Sequence, residues 1–104
     1  MVWWRYYSFD NAMKIQMKKF GDFLSSRPAG KEAYLSAQAY IFPSIDESGD
    51  IELDFEGVSV LAPSWADEFV TPLVEKWGDR LHCVNTDNPS VKATLEFLKK
   101  TPLG

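Results

Sequence analysis

Hydrophobic and polar positions change period several times along the chain, and each change marks an element. Val2 to Phe9 is dense in aromatics (Trp3, Trp4, Tyr6, Tyr7, Phe9) and predicts a strand. Asp10-Asn11 has turn chemistry. Lys14 to Phe20 follows as a second, partly alternating strand, so the two together predict an N-terminal hairpin. Met13 is also an alternative start, which would make the first strand dispensable. Gly21 to Arg27 reads as a loop closing on Ser25-Ser26-Arg27-Pro28. Proline suits a first helical turn, where an N–H has no intrahelical partner. The helix then runs to about Phe42, with Ala33, Ala37, Tyr40 and Ile41 at helical spacing. Pro43 and the polar stretch Asp46 to Asp50 end it.

Ile51 to Phe55 alternates apolar and acidic residues, Glu56-Gly57 interrupts, and Val58 to Leu61 resumes as an extended continuation. Ser64 to Trp77 predicts a helix in which Trp65, Phe69 and Leu73 form one row and Ala66, Val70 and Val74 the adjacent one, a core-facing stripe. Pro72 removes the N–H that would reach Glu68 and predicts a kink; Gly78 predicts the stop. Leu81 to Val84 is a short strand. Asn88 caps a last helix with Pro89 at its first position, Val91, Leu95 and Leu98 on its buried face, and Lys99-Lys100 complementing the helix dipole. The order β-β-α-β-α-β-α carries no internal repeat. It predicts one α/β domain over residues 1–104, an aromatic extension over 1–12 and a core over 13–100, built on a mixed sheet of about four strands covered by helices.

Composition narrows the function classes. A chain of 104 residues holds one core, and 45% hydrophobic with 14% aromatic residues excludes disorder. A net charge of −4 opposes a phosphate backbone, so nucleic acid is not expected. No apolar run approaches the roughly 20 residues of a membrane span, and the start lacks a basic segment followed by a long apolar stretch; the expected compartment is the cytoplasm. Cys83 is the single cysteine, which excludes an intrachain disulfide and a thiolate zinc site.

Two stretches carry a family resemblance: Leu53-Asp54-Phe55-Glu56-Gly57-Val58 leading into Pro63-Ser64-Trp65-Ala66-Asp67-Glu68-Phe69, and Leu24-Ser25-Ser26-Arg27-Pro28-Ala29-Gly30. With the element order, they resemble the STAS domain (sulphate transporter and anti-sigma factor antagonist), in its branch of small bacterial STAS-like proteins, over roughly Lys14 to Lys100. The resemblance implies a STAS-like mixed sheet and a docking role. In the antagonists, a serine in the loop before the helix that follows the central strand is phosphorylated by a partner ATPase-type kinase. The usual Asp-Ser-Ser-Gly corresponds here to Ala62-Pro63-Ser64-Trp65, so Pro63 falls on the modified serine, Ser64 on the next, and the aspartate and glycine are missing.

The candidate sites follow. Ser64 with Asp67 three residues on matches a capping box with Asp in place of Glu; the functional reading makes Pro63, Ser64, Trp65 and Asp67 a partner-docking or phosphorylation surface. Ser25, Ser26 and Arg27 stand at another helix start, either as a capped loop or as a contact for an anion or nucleotide. If the core strands are parallel, these loops meet Asn85 and Asn88 at the carboxyl edge of the sheet, where open α/β sheets bind ligands. His82 and Cys83 point to opposite faces of a strand and cannot form a catalytic pair; Cys83 reads as core and His82 as surface. Glu52, Asp54 and Glu56 read as the solvated face of an edge or partly covered strand, with Asp54, at a position typical of the family it resembles, expected closer to the rim than its neighbours. No nucleophile–base pair, metal cluster or cofactor fingerprint stands in the sequence, so neither catalysis nor a cofactor is expected. The expected function is a non-catalytic interaction module for a protein partner, with ligand sensing at Ser25–Arg27 as the alternative. An exposed aromatic on the first strand also offers a homodimer contact.

Overall fold

The computed structural model describes residues 13–45 and 49–100; the hairpin strand expected over Val2 to Phe9, with its dimer contact, lies outside them. The element order is β1 (Met13–Gln16), β2 (Phe23–Leu24), α1 (Arg27–Tyr40), β3 (Ile51–Asp54), β4 (Val60–Leu61), α2 (Pro63–Trp77), β5 (Leu81–Val84) and α3 (Pro89–Lys100), with short 3-10 turns between. β1, β3 and β5 form a parallel sheet in that order, and β2 pairs with β4, also parallel, in a second small sheet. The molecule is therefore the expected α/β architecture, with its strands divided between two sheets. Every strand pairing among the described residues is parallel.

Alternation sets the register. Ile15, Leu53 and Cys83 lie opposite one another across the three strands, as do Lys14, Glu52 and His82 one residue earlier. Side chains alternate across a strand, so Ile15 and Leu53 face the buried core while Lys14 and Glu52 face away and pair at 3.5 Å. The strand expected over Lys14 to Phe20 stops at Gln16, and Met17–Phe20 winds into a 3-10 turn. Met17 and Phe20, three apart, thereby both reach the core, with the Phe20 ring 5.2 Å from that of Phe69. The loop expected over Gly21 to Arg27 contains β2. Val60–Leu61, expected to continue β3, joins β2 because Gly57 (φ 87°) turns the chain after Phe55, whose carbonyl accepts from the Val58 N–H.

The helices cover the sheets with their small or aromatic rows. In α1, Ala33 and Ala37 are buried as expected, but Tyr40 is 84% exposed and the helix ends there, two residues short of Phe42. α2 is continuous through Pro72; Trp65, Phe69, Leu73, Ala66 and Val70 are buried, and the Trp65 and Phe69 rings stack at 5.1 Å. Val74, expected in the same stripe, is 50% exposed, because the part of α2 it occupies faces an open cleft. Gly78 ends α2 with φ 55°. In α3, Val91 is buried and Leu95 and Leu98 are half-buried.

Candidate functional site

The carboxyl ends of β2 and β4 lie side by side, Leu24 opposite Leu61, and each runs straight into a helix. This brings the starts of α1 and α2 to one rim. Two features lock them together there. Gly30 of α1 meets the backbone of α2: a Cβ on it would stand 2.6 Å from the Trp65 carbonyl oxygen, so a side chain at this position has no room. Across the same seam, the Arg27 guanidinium donates to Asp67 at 2.8 Å and to Glu68 at 2.6 Å. Both carboxylates raise the guanidinium pKa, chiefly through these hydrogen bonds, and hold it charged.

The α1 start itself is capped. Ser26, with φ 77°, accepts from the Ala29 N–H at 3.2 Å through its hydroxyl oxygen. Ser25 beside it is exposed. The capped-loop reading therefore describes Ser26. The cation meant for an incoming anion is already shared between two carboxylates, so the Arg27–Asp67–Glu68 cluster carries a net negative charge of one.

At α2, the structure shifts the expected cap. Ala62 occupies the N-cap position without a side-chain bond and Pro63 is the first helical residue, so Ser64 lies inside the first turn and Asp67 serves Arg27 instead of closing a capping box. Proline at the first position displaces the boundary because its fixed φ is already helical and it has no N–H to satisfy. Pro63 is exposed and Ser64 half-exposed, whereas Trp65 is 2% exposed. Trp65 is thus a core residue and cannot be a direct partner contact.

The third loop reaches the rim through polar bonds. Asn88 caps α3, its Oδ1 accepting from the N–H groups of Ser90 (2.8 Å) and Val91 (3.2 Å). From α3, Ser90 accepts from the Leu61 N–H and Thr94 donates to the Leu61 carbonyl at 2.6 Å, fastening this helix to β4 just before Pro63. Asn85, at φ 55°, donates through Nδ2 to Asp54 at the end of β3. Asp54 was expected on a solvated acidic face; it is instead 5% exposed, and it also accepts from the Glu56 N–H at 3.0 Å. The Asn85 bond, then the Glu56 N–H, then Lys14 at 4.0 Å hold its pKa below the ordinary carboxylate value against the opposing effect of burial. Sequence reasoning missed Asp54 as an anchor because a two-residue side-chain-to-backbone turn has no periodic signature.

Asn85, itself exposed, and Asn88 fasten the loop behind the rim, while around Ser64 stand the exposed Ser25 and Pro63 and the half-buried Asp67 and Glu68. His82 and Cys83 do diverge across β5. His82 is half-buried with Nε2 2.9 Å from Asp50, and Cys83, expected in the core, is solvent-exposed, on a strand that is at the edge of the sheet among the described residues. No group of His, Cys, Asp or Glu residues that could hold a metal occurs among the described residues, and no helix of theirs is long and apolar enough to cross a membrane.

Residues 40–91 match a family model described as a STAS-like domain of unknown function (DUF4325). The match spans half of the chain, including β3, the rim at Pro63–Ser64 and the whole of α2, so the chain belongs to this STAS-like family. No curated protein and no solved structure matches it.

Proposed function

From membership of that family as the premise, we propose that the protein is a non-catalytic interaction module that docks a protein partner through the rim at the start of α2. The observation that carries this reading is the arrangement on one helix face. Ser64, Asp67 and Glu68 stand at spacings of three and four residues, so they share a face of α2, and Arg27 of α1 lies across it. With exposed Pro63 and Ser25 beside it, this face offers a partner a polar, acidic surface mounted on two rigid helices.

The same arrangement supports a switch. A phosphate on Ser64 would sit in the first turn of a helix, where the dipole favours negative charge, and on the face occupied by the only cation of the cluster. It would compete with Asp67 and Glu68 for Arg27 and alter the charge a partner meets. By family analogy the partner is a cytoplasmic ATP-binding protein of the histidine-kinase-like ATPase class.

The test is capture from host lysate with tagged wild type, Ser64→Ala and Ser64→Glu, each with and without ATP, after circular dichroism has shown all three folded. Wild type and Ser64→Ala retaining the same ATP-binding protein, with Ser64→Glu losing it, would support the reading. Identical capture by all three would remove Ser64 from the docking surface.

A further inference from the structure

β4 is short, yet the backbone groups of Leu61 that point away from β2 are both bonded. On the β2 side, the Val60 N–H donates to Asp22 and the Ala62 N–H to Leu24, so the Leu61 N–H and carbonyl face the opposite way. A third strand would ordinarily meet them there. Here two side chains of α3 take its place: Ser90 Oγ accepts from the Leu61 N–H at 3.0 Å, and Thr94 Oγ1 donates to the Leu61 carbonyl at 2.6 Å. Four residues apart, the two hydroxyls share one face of α3 and grip a single residue of β4.

Both hydroxyls are held in turn. The Ser90 N–H is bonded by the Asn88 cap at 2.8 Å. Thr94 is 5% exposed, and its branched Cβ restricts the rotation of its side chain. A buried hydroxyl or carbonyl without a partner is costly, so each of these groups fixes the other.

From Leu61 the constraint passes into the rim. The Ala62 N–H donates to the Leu24 carbonyl at 2.8 Å, and the Ala62 carbonyl accepts from the Ala66 N–H at 3.0 Å, the bond that opens α2. Pro63 comes next, with a φ set by its ring. The N–H and carbonyl of both Leu61 and Ala62 are thus bonded, and Ser64 follows two residues later.

Resting on the docking reading of the rim, we propose that Ser90 and Thr94 are its positioning residues: α3 sets where Ser64 stands by holding Leu61 in the place a neighbouring strand would give it.

Amide hydrogen exchange, followed by nuclear magnetic resonance on the full chain, separates positioning from general stability. The reporters are the Ala62 and Ala66 amides, and the reference is the Phe55 amide, bonded to Val84 in the larger sheet. Thr94→Val keeps the shape of the side chain without its hydroxyl and is expected to speed exchange at the reporters about tenfold more than at Phe55. Thr94→Ser retains a hydroxyl and is expected to stay within about twofold of wild type. Ser90→Ala, at a half-buried position, is the second variant should Thr94→Val fail to fold, with an expected excess of about fivefold. In the capture assay, Thr94→Val is expected to retain about threefold less of the ATP-binding protein held by wild type, and Thr94→Ser to recover it. Equal acceleration at reporters and reference, no acceleration in a folded variant, or a Thr94→Ser as fast as Thr94→Val would each overturn the proposal. Loss of capture in Ser64→Glu with full capture in Thr94→Val would overturn the positioning and keep the docking.

Discussion

The two sides of α2 are made from one helix and behave as opposites. Toward α1 it closes: Gly30 meets the Trp65 backbone, Trp65 stacks on Phe69, and Arg27 spans to Asp67 and Glu68. Toward β5 and α3 it stays open, with Val74 half exposed beside a cleft of about 660 Å³. The difference lies in what stands opposite. A glycine lets two backbones approach at the rim, whereas β5 and the half-buried side chains of α3 leave apolar surface without a cover among the described residues. A closed side and an open side can thus share one helix.

Three substitutions test how deep that contrast runs. The largest effect is expected from Trp65→Ala, which removes a fully enclosed ring and should cost about 4 kcal/mol in urea unfolding. Val74→Ala on the same helix should stay within about 0.5 kcal/mol. Similar losses for the two would mean the cleft is packed in solution, and the contrast would fail. Next comes Gly30→Ala. Propensity alone predicts that alanine stabilises a helix by about 1 kcal/mol, but the new Cβ would stand 2.6 Å from the Trp65 carbonyl oxygen. The expected outcome is a loss of about 2 kcal/mol as the helices are forced apart. A gain would show that the seam yields as readily as the cleft.

A smaller loss than at Gly30 is expected at the fastener behind the rim. Asp54 has a depressed folded-state pKa, so its contribution is complete above the pKa of the unfolded chain and is lost as pH falls through the folded value. Asp54→Asn should lower stability at neutral pH by about 1 kcal/mol and flatten the acid limb of the stability curve below the ordinary carboxylate range. An acid limb unchanged by the substitution would mean that the Asn85 and Glu56 contacts do not hold the rim in place.

Much of the fold was legible along the chain. The periods of α1, α2 and α3, the Asn88-Pro89 start and the Gly78 stop all stand where local chemistry puts them, because caps and helical rows are properties of neighbouring residues. The site was legible only in part. Ser64 and Asp67 were identified as types and spacings, but Asp67 bonds a residue 40 positions away, and the proline one step earlier moved the cap off Ser64. Trp65 was read both as core and as a partner contact, and packing against Phe69 and Gly30 decides for the core. Cys83 was read as core from its type, and the structure exposes it to solvent.

What the amino-acid order alone determined was local: which segments alternate at two and which at 3.6, the start of α3 at Asn88-Pro89 and the stop of α2 at Gly78, and that an acidic α/β chain with a STAS-like sequence results. Tertiary structure decided the rest: the division into two parallel sheets, the burial of Asp54, the pairing of Arg27 with Asp67 and Glu68, and the cleft over β5. Each of these depends on groups far apart in the chain, whose distance is set by the packing of whole elements and leaves no periodic trace in the sequence.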